Sequence, residues 1–281
     1  MTALFDRIPN SAFRVISIVI VTAVFLIILF PLYFMLTTAF KTEYEIYTAF
    51  SWFPRNPTLD NFVQVITQFN IPLYIKNTLI VALTTTSIVV IVSVMAGYSL
   101  TRLRFPGRAI LARGVLFVYL VPGALMLIPM YLIIVKLGLQ NTYLGLILAN
   151  MSFAVPFCTW LMMGYLRSIS AEIEEASLID GCTRLMSLWH IVIPLSIPGI
   201  ATAAIFIFNG VWNEFIFALI LSQDASRRMI SVGLSNFYRV DIYMVGPMMA
   251  GSLFAMLPVV ILYILAQRYV VSGLAAGAVK G

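Results

Sequence analysis

The sequence predicts an all-α membrane protein with six transmembrane helices, and two features lead there. The first is composition. Of 281 residues, 62% are hydrophobic and 10% charged, with a mean hydropathy of +1.01, whereas a soluble domain carries about 25% charged residues. The second is the gathering of apolar residues into long runs. About 20 helical residues, rising ~1.5 Å each, cross the roughly 30 Å hydrocarbon layer of a bilayer. Inside that layer every backbone N–H and C=O must pair within the chain, so the runs are expected to be helical.

In chain order, residues 1–12 read as a cytoplasmic N-terminus and 13–40 as the first transmembrane helix, charge-free from Val15 to Phe40. That helix exceeds the spanning minimum and should tilt or extend past the interface. Residues 41–76 carry Glu43, Glu45, Trp52, Pro54, Arg55, Pro57 and Asp60, the composition of an extracytoplasmic connection lying partly along the membrane surface. A core transmembrane domain occupies 77–266 and a cytoplasmic tail 267–281. Within the core, spans are expected at Asn77–Leu100, Gly114–Val135, Tyr143–Leu166, Gly199–Leu221 and Gly246–Ala266. Pro122, Pro129 and Pro156 fall inside these spans, where kinks are expected and neighbouring helices can re-satisfy the freed carbonyls.

Orientation follows the Lys/Arg asymmetry. The loop after the second span holds Arg102, Arg104, Arg108 and Arg113 around a Phe105-Pro106-Gly107 turn, with no acid, which marks it as cytoplasmic. The asymmetry is imperfect, because Lys41, Arg55, Lys76, Arg227, Arg228 and Arg239 then lie outside. An even number of spans puts both termini in the cytoplasm. The net charge of +6 and pI near 9.4 therefore express topology and not nucleic-acid binding, since no separate basic domain exists. Cys158 sits in an apolar span and Cys182 in a polar loop, so no structural disulfide is expected between them. Arg7 and Arg14 before an apolar run imitate a secretory signal, but the run is too long and lacks a small-residue cleavage site.

The inner loop at 167–198 carries the most informative spacing. It reads Glu174-Glu175-Ala176-Ser177-Leu178-Ile179-Asp180-Gly181 and, after nine further residues, Ile191-Val192-Ile193-Pro194. Acids at the start suit the helix dipole and Gly181 suits a C-cap, so a short acidic helix is expected. Small residues at 176 and 177 would let another protein surface approach. The same chemistry also describes a solvated interfacial helix whose acids keep it out of the bilayer.

The full spacing resembles the EAA loop of ABC importer permeases. It has a Glu-Ala-small triplet, a Gly four positions after the small residue, and an Ile-x-hydrophobe-Pro ending. Ser177 stands where many members have Ala, and Ile193 where many have Leu. The run from Gly97 to Arg108 resembles the second inner loop of carbohydrate-importer permeases, Trp212-Asn213-Glu214-Phe215 their fifth-helix motif, and Gly277 to Gly281 their C-terminal tail. Together these resemble, over most of the chain, the shorter membrane subunit of maltose-type transporters. The resemblance implies a type I ABC importer permease fold with a cytoplasmic coupling helix. Glu174, Glu175, Ala176, Ser177, Asp180, Gly181 and Pro194 would form the ATPase-coupling loop, and Val279, Lys280 and Gly281 would touch the same ATPase. Implied partners are a homologous second permease subunit, two cytoplasmic ABC ATPase subunits and an extracytoplasmic solute-binding protein, in a prokaryotic plasma membrane. ATP and Mg would sit on the ATPase, with no cofactor on this chain.

Trp212, Asn213 and Glu214 support two readings. An aromatic, an amide and a carboxylate suit a sugar pathway, and they equally suit a hydrogen-bond cluster holding helices together. The outer segment Ser222 to Val245, with Arg227, Arg228, Tyr238, Arg239 and Asp241, reads either as a solvated loop or, by resemblance, as a contact for the binding protein. No GxxxxGK[ST] phosphate loop occurs, so ATP chemistry is expected on another chain. An intramembrane enzyme lacks material: His190 is the single His, and Gly233-Leu234-Ser235 completes no nucleophile motif. The expectation is a non-catalytic subunit of an importer for a sugar-like solute. A self-sufficient secondary transporter or channel is the alternative.

Overall fold

The computed structural model describes residues 10–48, 50–239 and 242–278. In order, the helices are α1 (Asn10–Ala39), α2 (Glu43–Thr48), α3 (Asp60–Thr67), α4 (Ile71–Arg102), α5 (Arg108–Leu120), α6 (Gly123–Lys136), α7 (Tyr143–Ser168), α8 (Ala171–Ile179), α9 (Arg184–Ser187), α10 (Ile193–Trp212), α11 (Ile216–Leu221), α12 (Ile230–Ser235) and α13 (Val245–Ala278). Strands β1 (Tyr238–Arg239) and β2 (Ile242–Tyr243) pair antiparallel between α12 and α13, with Tyr238 opposite Tyr243.

Among the described residues, five helical runs are long and apolar enough to cross a membrane. They are Arg14–Ala39, Ile71–Arg102, Tyr143–Ser168, Arg184–Trp212 and Val245–Gln267. The sequence places the third span as one helix over Gly114–Val135, and the structure corrects this. α5 and α6 meet at a bend of 100° and make a sixth crossing only as a broken pair. The cause is local. Val121 is extended at φ −68° and ψ 123°, as a residue before proline prefers, and Pro122 has no N–H to continue the ladder. Pro129 and Pro156, in contrast, sit inside continuous helices.

Two further boundaries differ from expectation. The fifth crossing starts inside the segment read as a loop, at Arg184, and ends at Trp212, short of Leu221. The sixth helix continues past Ala266 to Ala278, through most of the segment read as a tail.

The chain divides into two compact units. One comprises the residues up to Asn70 together with Phe237–Phe254. In it, none of the apolar window of α1 is buried, so the helix offers its sides to lipid or to another chain. The end of α1 is nevertheless tied. The buried Asn61 amide donates to the carbonyl of Ala39 at 2.9 Å, one of those a helix C-terminus leaves without an intrahelical donor, and to that of Lys41, just beyond the helix, at 2.8 Å. Glu45 organises the connection that follows, accepting the Ser51 hydroxyl at 2.6 Å and the Arg55 N–H at 2.9 Å. These bonds, that of Ser51 first, hold its carboxyl below the usual carboxylate range against an opposing desolvation. Phe50, Trp52 and Phe53 stand exposed along this segment, as aromatic side chains do at a membrane interface.

The other unit comprises Ile71–Asn236 and the residues from Ala255 onward. α4 and α7 pack through small and hydroxylated residues, as helices in lipid tend to. A Cβ at Gly97 would meet Met162 at 3.2 Å, and Thr159 donates to Ser93 at 3.2 Å. The segment after Leu221 is folded and not merely solvated: Met229 and Ile230 are fully buried. Asn77, with no exposed surface, anchors it by donating to the carbonyls of Ser226 at 3.1 Å and Arg228 at 2.9 Å while accepting the Tyr143 hydroxyl at 2.7 Å. Thr78 accepts the Ile230 N–H at 2.8 Å.

Two outcomes follow. Asn77→Ala strands two carbonyls and a hydroxyl, which should lower the unfolding free energy in detergent by about 1–3 kcal/mol and open residues 222–236 to limited proteolysis. Because the Glu45 carboxyl is held low, its contribution is complete above the ordinary carboxylate pKa and is lost as pH falls through the lowered value. Trp52 emission should therefore shift on acidification, and Glu45→Gln should abolish that shift.

Candidate functional site

α8 is defined at both ends by its sequence. The Ser170 hydroxyl accepts the Glu172 N–H at 3.3 Å as N-cap, and Glu172 and Glu174 occupy the first turn, where the helix dipole favours acids. At the other end, Asp180 N–H donates to Ala176 at 3.0 Å and Cys182 N–H to Ser177 at 3.0 Å. Gly181 between them adopts φ +91°, a left-handed conformation that side chains disfavour.

The acidic pair then separates by direction. Glu174 is buried and receives three partners: the Tyr98 hydroxyl at 2.5 Å, Arg102 Nε at 3.4 Å and Arg184 Nη1 at 3.8 Å. Arg102 also donates to the carbonyls of Leu166 at 2.9 Å and Ile169 at 2.6 Å, closing the C-terminal end of α7. One buried carboxylate thus joins α4, the end of α7, α8 and α9. Ser177 is buried on the same side, donating to the Glu174 carbonyl at 2.7 Å and meeting the Ser187 hydroxyl at 2.8 Å. Ser177 is therefore an internal bond and not part of an open contact face, contrary to what its size suggests. Glu175, Ala176, Ile179 and Asp180 point away and are exposed, Ile179 at 86%. Beside them opens a cavity of about 740 Å³ walled by Arg104, Arg108, Arg184, Glu174 and Glu175.

Pro194 sits at the start of α10, directly after a wide i→i+5 turn over Leu188–Val192. A proline in a continuous helix loses one hydrogen bond and crowds the carbonyl four residues earlier, and the widened turn accommodates both. His190, within that turn, is exposed and meets the Met186 carbonyl at 3.0 Å. Val279, Lys280 and Gly281 lie outside the described residues.

Trp212, Asn213 and Glu214 do not act as one cluster. Trp212 is buried and stacked on Phe208 at 5.5 Å. Asn213 is exposed and bonds to Asn209 at 2.8 and 3.0 Å. Glu214 lies in the break between α10 and α11, and its two oxygens accept the N–H groups of Phe217 and Ala218, each at 2.8 Å. It caps α11, so the helix interruption missed from the sequence is explained by the residue at its centre. Glu214 also borders a cleft of about 550 Å³ between α7 and α10, lined by Tyr119, Asn150, Phe153, Phe157, Phe206 and Phe217 among others.

The family model described as binding-protein-dependent transport system inner membrane component matches residues 89–275, which include α8 and the whole of α10. The chain belongs to that family. Among similar proteins is the inner membrane ABC transporter permease protein YcjP of Escherichia coli (strain K12), 36% identical over 92% of this chain and 94% of the relative. The trehalose/maltose transport system permease protein MalG of Thermococcus litoralis is 32% identical over 95% of this chain and 97% of its own length. A bacterial ABC transporter involved in import of the acidic polysaccharide alginate shares the fold, with a TM-score of 0.81 at 22% identity over 94% of this chain and 99% of that one. This permease subunit is thus an all-α, multi-pass inner membrane protein of a non-catalytic family.

Sequence reasoning missed the partners of Glu174. Tyr98 and Arg102 lie four residues apart on α4 and so share a face, but nothing in the sequence says which loop acid that face meets. The cleft residues Asn150, Phe153 and Phe157 likewise share one face of α7 by their spacing.

The two acids should separate experimentally. Glu174→Ala leaves the Tyr98 hydroxyl without its acceptor and Arg102 without its carboxylate partner, and should cost about 1.5–3 kcal/mol, the range for a hydrogen bond to a charged group. Glu175→Ala, on the exposed face, should stay within about 0.5 kcal/mol. Thermal unfolding of both variants in detergent checks the contrast.

Proposed function

We propose that this permease subunit carries part of the translocation pathway of a sugar importer and receives the ATP-driven stroke through α8. Two cytoplasmic ATPase subunits would bind α8 and its counterpart on a second, homologous permease subunit. An extracytoplasmic binding protein would deliver the solute. ATP-driven closure would move α8 as a rigid lever, switching the helices between inward-facing and outward-facing arrangements. The orientation is the one that leaves the Arg-rich loop at 102–113 cytoplasmic, with both termini on that side.

The observation that carries this reading is the two-sidedness of α8. Its inner face is fastened by Glu174 and Ser177 to α4 and α9, so force applied to it reaches the membrane helices instead of bending a loop. Its outer face presents Glu175, Ala176, Ile179 and Asp180, an acid-rimmed apolar strip beside the arginines of the adjoining cavity. Ala176 permits close approach, and Gly181 ends the helix sharply enough to leave the strip clear. Val279, Lys280 and Gly281 would add a second ATPase contact.

The sugar-like class rests on the relative named for trehalose and maltose and on the aromatic cleft. A self-sufficient secondary transporter needs a free ionisable group in the membrane, and Glu214 is committed at both oxygens to α11.

Gly181→Val tests the coupling role. A branched side chain at φ +91° disturbs the end of α8 by about 1–2 kcal/mol, with little effect on insertion. Coupled uptake or ATPase association should be lost while membrane levels hold. Normal uptake in this variant would count heavily against docking through α8.

A further inference from the structure

The cavity of about 740 Å³ beside α8 opens where the crossings end, and that position sets its chemistry. It is lined by Arg102, the last residue of α4, Arg108, the first of α5, Ala171, the first of α8, and Arg184, the first of α9. The apolar run Ile71–Arg102 ends, and the run Arg184–Trp212 begins, at two of these arginines. The cavity therefore lies at the boundary between hydrocarbon and water. Trp189, on the wide turn that follows α9, is exposed, as aromatic residues are at that boundary.

Its charges do not balance. Four arginines, at 102, 104, 108 and 184, face the two glutamates 174 and 175, an excess of two positive charges. Arg102 and Arg184 are committed to Glu174, and Arg102 also to the carbonyls of Leu166 and Ile169. Arg104 and Arg108 form no ion pair among the described residues, and Arg108 gives only one N–H to the Leu103 carbonyl at 3.0 Å. The start of α5 adds to the imbalance. Its first turn carries no acid and Gly107 supplies no side-chain cap, so the positive end of the helix dipole is unanswered where Arg108 enters the cavity.

Two uncommitted guanidinium groups beside a helix start suit a phosphate group, and at this depth the bilayer itself supplies one. α5 leads from Arg108 into the membrane with Ile110 and Phe117 exposed at 74% and 71%. They lie seven residues apart and so share a face, an apolar wall for acyl chains. We infer that this cavity binds the phosphodiester headgroup of an anionic phospholipid, with Arg104 and Arg108 holding the phosphate and the open side of α5 lying against the chains. A free phosphate ion shares the headgroup's chemistry but leaves that face of α5 uncovered. Basic pockets between membrane helices bind anionic headgroups in this way.

The site is independent of the solute carried, so the test reads lipid binding and not uptake. The importer complex, purified with its co-purifying subunits, is titrated with phosphatidylglycerol or phosphatidylcholine in mixed micelles of a neutral detergent, and bound lipid is counted by native mass spectrometry. Preferential retention of phosphatidylglycerol is expected, undiminished by added inorganic phosphate. Arg104→Gln and Arg108→Gln should each weaken it about fivefold, the attraction of one basic side chain to an anionic headgroup, and Arg104→Lys should retain it. Arg113→Gln removes the same charge from α5 outside the cavity and should leave the affinity unchanged. Equal loss in the Arg113 variant, or no preference for phosphatidylglycerol, would overturn the site. Displacement of the lipid by inorganic phosphate would overturn lipid as the source of the phosphate. Lipid binding only after the ATPase is stripped away, or loss of the ATPase from the Arg104→Gln complex, would assign the cavity to a protein contact and overturn the proposal as well.

Discussion

The structure depends most on one buried carboxylate. Glu174 sits where a short helix outside the membrane crossings meets the ends of longer ones, and its hydrogen bond from Tyr98 and ion pairs with Arg102 and Arg184 hold that meeting together. Burying a charge is costly unless it is paired and hydrogen-bonded; this one is paired with two arginines and takes one hydrogen bond, from Tyr98. The chain tolerates the desolvation because the outcome is mechanical: a helix nine residues long, too short to be stable alone, becomes an extension of α4 and α7.

The same logic recurs at several helix ends. A bilayer supplies no water for the free carbonyls and N–H groups of a helix end, so polar side chains must do it. Asn61 closes α1, Arg102 closes α7, and Glu214 opens α11. Asn77 performs the equivalent task for a loop, taking up the carbonyls of residues 226 and 228. Several polar residues of this chain are thus devoted to terminating structure. Glu175, exposed on the outside of α8, has no such task.

The sequence disclosed much of the fold because hydropathy is a one-dimensional signal. Runs such as Val15 to Phe40 need no knowledge of tertiary contacts to be read as spanning helices. It disclosed the position of α8 for a similar reason, since the acids at its start and Gly181 at its end act locally. It failed where local grammar is overridden. Pro122 breaks the third span outright while Pro129 and Pro156 do not, because only Pro122 follows a residue in an extended conformation. The sequence places Glu214 inside a continuous fifth span, whereas its carboxylate starts another helix. The inward turn of Ser177 is set by Ser187, ten residues away, across a loop whose path the sequence does not specify.

The central claim is that α8 presents its outer face to an ATPase while its inner face holds the membrane helices. Site-specific photocross-linking in native membranes tests this directly, with a benzophenone maleimide attached to single cysteines at Ala176, Ile179 and Ser177 in a background lacking Cys158 and Cys182. Adducts to a cytoplasmic ATPase subunit at positions 176 and 179, absent at 177 and altered by ATP, are the predicted result. Labelling of 176 or 179 by a membrane-impermeant reagent from the outer side, or the lack of any ATPase adduct at either position, would contradict it.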